Sequence, residues 1–209
     1  MLLVLTGVTA ISVALLAYVN ELTKGPIAEA NAKTLNEALK KVLPEFTNNP
    51  VAESDTIFSE KDGKKNVDFI VYPAKNGEEL VGTAVEAKSM GFGGELKILV
   101  GFDADGKIYN YSLLAHAETP GLGSKAADWF KEGNKGSIKG LNPGEKQLAV
   151  SKDGGQVDAI TASTITSRAF LNAVNAAYSA YKGNTQNGDT NATTGATQHV
   201  EYTDSVSAN

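Results

Sequence analysis

The sequence predicts an α+β fold, a mainly antiparallel sheet with flanking helices, preceded by one N-terminal transmembrane helix. Three observations carry this reading. Leu2 to Val19 is uncharged and mostly apolar. Five strand-length segments follow between residues 56 and 115, broken by Gly-, Asn- and Asp-containing turns. That is the pattern of successive hairpins and not of βαβ units. Two longer segments, 26–42 and 165–181, repeat their apolar residues at helical spacing.

Bulk composition narrows the function. The chain of 209 residues has a net charge of −5 and a pI near 5.1. Without a Lys/Arg cluster, that acidity argues against a nucleic-acid partner. With no cysteine, disulfides, thiolate zinc sites, cysteine-ligated iron–sulfur clusters and a lipoprotein cysteine anchor are all excluded. His116 and His199 are the only histidines, too few for a His-based metal site. Any redox chemistry here must rest on an organic carrier.

The elements follow in order. Residues 1–20 are read as the transmembrane helix, since about 18–20 residues just span a hydrocarbon core. The competing reading, a cleaved signal peptide, lacks a positive n-region and a small-x-small cleavage site. Tyr18 suits the far interface. Lys24 after the helix leans the positive-inside signal towards a cytoplasmic domain. Residues 21–46 are read as a linker and amphipathic helix, with Pro26 at its first position, Ile27, Leu35, Ala38, Leu39 and Val42 on one face, and Pro44 as the stop. Lys33, Lys40 and Lys41 lie on the solvated side.

Strands are expected at 56–59, 67–73, 80–87, 95–102 and 107–115, with turn chemistry at Lys61-Asp62-Gly63-Lys64, Lys75-Asn76-Gly77-Glu78 and Asp103-Ala104-Asp105-Gly106. Gly91-Phe92-Gly93-Gly94 lacks the third glycine of a dinucleotide fingerprint, and reads as a bend where backbone passes closely. A short helix with Trp129 and Phe130 is expected over 126–131. A further hairpin, 147–150 with 156–160, leads into Asp158-Ala159-Ile160-Thr161-Ala162-Ser163-Thr164 and a terminal helix. Its expected apolar side is Ile165, Ala169, Val174, Ala177 and Tyr181, and Gly183 is read as its C-cap. Residues 47–182 form the expected domain, and 183–209 a disordered polar tail.

Two stretches suit chemistry. Thr164 falls at a helix start, where unpaired N–H groups and the helix dipole favour a phosphate. Glu118-Thr119-Pro120-Gly121-Leu122-Gly123 offers a fixed φ at Pro120, two flexible glycines and exposed N–H groups, which suit the edge of a flat ring. Trp129 could stack on an aromatic cofactor or simply fill the core. His116 and Glu118, two apart, form a bare acid/base pair of a kind that is mostly structural. A hydrolase using the hydroxyl-rich run has no suitably placed His or Lys partner.

The stretch Asp158…Thr164 resembles the flavinylation signal Asp-x-x-Ser/Thr-Gly-Ala-Thr of the FMN-binding domain family. That signal belongs to the G subunit of the Rnf electron-transport complex, and the C subunit of the sodium-pumping NADH:quinone reductase shares it. Leu43-Pro44-Glu45-Phe46, Gly91–Gly94 and Glu118–Gly123 are similar to the family's own motifs, in order. The resemblance implies FMN joined to Thr164 through a phosphoester, with Asp158 as the signal's acid and Thr161 as its first hydroxyl. Ser163 and Ile165 flank the acceptor, and Glu118, Thr119, Pro120, Gly121, Leu122 and Gly123 lie against the flavin.

Ala162 and Ser163 stand where the signal has Gly and Ala. Glycine at 162 would permit φ > 0. A closer four-letter match, Thr194-Gly195-Ala196-Thr197, has Asn191 in place of the acid and no apolar helix after it.

What the resemblance implies as a whole is an electron-transfer subunit coupling ferredoxin:NAD electron flow to ion movement. It would be single-pass in the cytoplasmic membrane, with the FMN domain on the extracytoplasmic side. Its partners would be the other complex subunits, membrane lipid and a separate flavin transferase. The equivalent quinone-reductase protein, a stand-alone flavin carrier and an unflavinylated assembly protein are the alternatives.

Overall fold

The computed structural model describes residues 1–61 and 64–190. Helix α1 spans Leu2–Val42. Five strands follow: β1 Asp55–Lys61, β2 Lys64–Asn76, β3 Glu79–Met90, β4 Glu95–Asp103 and β5 Ile108–Ala115. The short helix α2 is Ala126–Trp129, and α3 is Thr164–Thr190. The strands form one antiparallel sheet in the order β1-β2-β3-β4-β5, as consecutive hairpin signals require. The expected α+β class is the one observed. Asp62 and Gly63 of the first expected turn, and the Thr194–Thr197 segment, lie outside the described residues.

Both faces of the sheet are covered. Helix α3 packs on one through Phe170, Leu171, Val174 and Ala177, against Val85, Ile98, Val100 and Phe102. The last turns of α1 cover the other, with Leu39, Val42 and Leu43 against Tyr72, Ala84 and Leu99. This explains the run Ile98-Leu99-Val100 in β4. A strand covered on two faces need not alternate with polar residues, and all three side chains are fully buried.

Three local expectations change. Pro26 starts no second helix, because α1 is continuous through it. Proline's fixed φ is compatible with a helix, and its cost is one lost hydrogen bond plus ring crowding. The switch from apolar to amphipathic pattern is therefore a change of surroundings along one rod. That rod is long and apolar enough at its N-terminal end to cross a membrane, and none of that apolar window is buried against the rest of the chain.

The second expected hairpin is only an isolated parallel bridge, Val150 to Val157. Leu148, Val150, Val157 and Ile160 all turn into the core beneath α3. A regular hairpin would send alternate side chains outward. Leu148 instead pairs its N–H and carbonyl with the Asn175 side chain, at 2.9 and 2.8 Å.

Finally, α3 runs through Gly183, which caps nothing. Its buried side is set by Ala169, Phe170, Ala173 and Val174, while Ile165 is 54% exposed. Ile165 stands in the first turn, one residue before the face that meets the sheet.

The C-terminal end of α1 is seated on backbone. A methyl at Gly101 in β4 would run into the Val42 carbonyl, and one at Gly82 into Pro44 and the Phe102 carbonyl. The Asn110 amide of β5 donates to the Lys41 carbonyl at 3.0 Å. That satisfies one of the carbonyls a helix end leaves unpaired.

Candidate functional site

The site is the entrance to α3. Ser163 precedes the helix, and its carbonyl accepts from both the backbone N–H and the hydroxyl of Ser167, each at 3.0 Å. The Ser167 hydroxyl in turn accepts from the Ile160 N–H at 2.9 Å. Ile160 is buried, and its carbonyl accepts from the Ser163 N–H at 3.0 Å. This closes a tight turn whose tip is Thr161-Ala162. Ala162 has φ +62°, the left-handed region that L side chains rarely adopt. A position where the family signal has glycine thus proves to be one where glycine would be unstrained.

The hydroxyls of the run fall into distinct states. Thr166 donates to Glu118 Oε2 at 2.7 Å, and Ser167 is committed to the turn. Thr161 is exposed ahead of the helix and Ser163 is buried. Thr164 is half-exposed at the first helical position, and among the described residues its hydroxyl makes no hydrogen bond. The N–H groups of a first helical turn have no acceptor within their own helix.

Two further ties fix this turn. The Trp129 indole N–H donates to the Asp158 carbonyl at 2.8 Å. Of the two readings of Trp129, this makes it a support of the turn, with its ring packed on the core. The Asp158 carboxylate is exposed and accepts from the Ser151 hydroxyl at 3.1 Å. Arg168 grips Asp153 with two bonds of 2.7 Å each. The guanidinium holds the Asp153 carboxyl below its ordinary range, first through these hydrogen bonds.

The 118–123 loop lies against the first turn of α3. Glu118 is only 5% exposed. Its Oε1 accepts from the N–H groups of Phe92 and Gly93 at 2.7 and 3.1 Å, and its Oε2 from Thr166. A methyl at Gly123 would strike Glu118 and the Thr166 hydroxyl, and one at Gly91 would strike Glu118. The 91–94 bend is a close backbone passage, as its glycines suggest. The two sequence stretches that suit chemistry, 48 residues apart at Glu118 and Thr166, are thus joined.

Within the loop, the Thr119 carbonyl accepts from the Leu122 and Ser124 N–H groups, Gly121 donates to the Ser124 hydroxyl, and Lys125 donates to the Leu122 carbonyl. The donors expected to face a ring edge are mostly spent inside the loop. Pro120 and Gly121 are exposed, and Gly121 sits at φ +74° over open space. His116 accepts from the Glu118 N–H through Nδ1 at 3.2 Å, so the bond between the two residues runs from backbone to ring and not through the carboxylate.

Sequence reasoning passed over Phe92, Thr166 and Ser167 as site residues. Only the spacing Ser163–Ser167, one helical turn, could have signalled the last. Around the site Phe92, Leu122 and Ile165 are exposed apolar side chains. A helix start whose hydroxyl is unbonded among the described residues, in a region with exposed apolar side chains, fits a ligand with a phosphate at one end and a flat ring at the other.

Comparison with known proteins gives the same residues a family context. The model of the FMN-binding domain matches residues 91–179. The G subunit of the ion-translocating oxidoreductase complex of Cereibacter sphaeroides is 35% identical over 170 residues, covering 78% of this chain and 75% of that one. Its counterpart of the same name in Escherichia coli K12 is 36% identical over 169 residues, covering 78% and 81%. The G subunit of the Na(+)-translocating ferredoxin:NAD(+) oxidoreductase complex of Acetobacterium woodii is 33% identical over 189 residues, covering 86% and 89%.

Proposed function

Because the chain belongs to the family of G subunits of ion-translocating oxidoreductase complexes and matches the FMN-binding domain, we propose that it is the electron-transfer subunit of an Rnf-type complex and carries FMN covalently on Thr164. The complex would couple ferredoxin:NAD electron flow to ion movement. The observation that supports the attachment point is the state of the Thr164 hydroxyl: half-exposed, unbonded among the described residues, and at the first position of a 27-residue helix.

FMN when bound supplies reversible one- or two-electron exchange; the protein supplies position and electrostatics. The α3 first turn offers its N–H groups and dipole to the phosphate. The turn at Thr161-Ala162 and the bonds of Ser167 hold the Thr164 backbone still. The exposed side chains of Leu122 and Ile165 would shield a bound ring from water. Thr119, Pro120 and Gly121 would border the ring, with the Gly121 N–H already given to the Ser124 hydroxyl, and Asp158 is read as the residue a modifying enzyme recognises.

Attachment requires a separate flavin transferase and a flavin nucleotide activated as a phosphoanhydride. The Thr164 O–H and the anhydride P–O bonds break, the Thr164 O–P bond forms, and the proton departs with the phosphate-ended leaving group. Helix α1 would anchor the protein in the cytoplasmic membrane beside the other subunits, with the domain outside the cytoplasm.

The test is to co-express the full chain with a flavin transferase and denature it in SDS. Ultraviolet fluorescence should remain on the band, and the mass of FMN less water should map to the peptide containing Thr164. Thr164→Ala should lose the fluorescence and remain folded. Flavin on Thr197, or none on the chain, overturns the assignment.

A further inference from the structure

We propose that Phe92 is the aromatic side chain that lies against the flavin ring, and that Glu118 is the positioning residue that holds it there. This rests on the reading of Thr164 as the flavin-bearing residue.

Phe92 is 70% exposed on the turn between β3 and β4. Leaving a phenylalanine ring in water forgoes most of the free energy its burial would yield. An exposed aromatic on a loose loop would be ordinary, but this loop is not loose. The Gly91 N–H bonds to the Gly94 carbonyl at 2.8 Å. The N–H groups of Phe92 itself and of Gly93 are both held by Glu118 Oε1. At Gly91 a side chain would enter the Glu118 carboxylate, and at Gly93 it would enter the Ala117 backbone. Phe92 therefore carries the only side chain beyond hydrogen in a four-residue turn laid flat on the 117–118 backbone. The structure orders the backbone of this residue and leaves its ring uncovered.

The second oxygen of the same carboxylate gives the direction. Glu118 Oε2 takes the Thr166 hydroxyl, two residues past Thr164 in the first turn of α3. The turn that carries Phe92 and the first turn of α3 thus meet at one buried carboxylate. Leu122, two-fifths exposed, follows in the Glu118 loop, and Ile165 lies between Thr164 and Thr166. A flat, apolar-faced ring tethered at Thr164 would find these side chains, and an offset stack on Phe92 is the arrangement aromatic pairs prefer. Both Glu118 oxygens are occupied by protein donors. The role proposed for Glu118 towards the ring therefore runs through Phe92.

The experiment uses the full chain, co-expressed with a flavin transferase, and compares Phe92→Leu, Glu118→Ala and Glu118→Gln with wild type. Each is checked for folding by far-ultraviolet circular dichroism. Phe92→Leu should keep SDS-stable fluorescence at the wild-type level. In the native state its flavin emission should rise several-fold, because an aromatic partner quenches it, and the visible circular dichroism of the flavin should shrink. Glu118→Ala should give the same two changes although Phe92 is present. Glu118→Gln, whose amide oxygen can still accept from the turn, should restore most of the wild-type signal.

Unchanged emission and dichroism in equally loaded Phe92→Leu overturns the proposal. So does a Glu118→Ala that folds and emits like wild type. If wild type carries no covalent flavin, the reading of Thr164 fails separately. Titration of free FMN into Thr164→Ala, with and without Phe92→Leu, then decides: weaker quenching without Phe92 supports the stack, and equal quenching ends it.

Discussion

The indole nitrogen of Trp129 donates to the backbone carbonyl of Asp158, 2.8 Å away and 29 residues along the chain. A methyl at Gly136 would collide with both the ring and that carbonyl, so three segments meet at this bond. Trp129→Phe retains a ring for the core and removes the donor. It should lower stability by about 1 kcal/mol, read as a shift in the urea midpoint. On the proposal that Thr164 carries the flavin, it should also slow flavin loading, because the backbone leading to Thr164 loses one of its ties. Unchanged loading kinetics would detach Trp129 from the site.

Ala162 carries its left-handed φ at the cost of contact between Cβ and backbone. Ala162→Gly should remove that strain, partly offset by the entropy of the more flexible unfolded chain. The expected net gain is about 0.5–1 kcal/mol, measurable by urea unfolding. A loss of stability would show that the turn relaxes away from φ +62° in solution.

Asp153 and Arg168 predict a pH dependence. The folded-state pKa of Asp153 is lowered by the Arg168 hydrogen bonds and charge. A depressed carboxylate stabilises fully above its unfolded value, about 3.9, and loses that contribution as pH falls through the lower folded value. The stability difference between wild type and Asp153→Asn should therefore stay constant from neutral pH to the mid-4s and close below it. Both side chains are substantially exposed, so added salt should shrink the difference. A gap that widens on acidification contradicts the pairing.

Most of the sheet was legible because each strand has an apolar stretch at its centre and turn residues beyond its ends. Asp103 shows how fully local that signal is: its carbonyl and carboxylate take the Gly106, Asp105 and Lys107 N–H groups of its own turn. The helix starting at Thr164 was legible for the same reason. What the sequence could not show was tertiary. Leu148 and Val157 look like strand residues until Asn175 supplies the bonds that a neighbouring strand would have made to Leu148. Pro26 looks like a start because nothing local says that the helix on its N-terminal side continues. Glu118 was picked out by family resemblance as a flavin contact. Its commitment to Phe92, Gly93 and Thr166 depends on contacts 26, 25 and 48 residues away, which no pattern in the chain displays.

The unbroken α1, seated on Gly101 at its far end, has a geometric consequence. Residues 20–34 are almost wholly exposed, a length of about 22 Å at 1.5 Å per residue. If the apolar end is fixed in a bilayer, that length sets how far out the domain stands, and the helical phase sets which way its α3 entrance looks. One residue more or fewer in the segment would swing the domain by about 100° around the helix axis. The azimuth of the α3 entrance is thus written in a residue count, in a stretch whose individual side chains touch almost nothing.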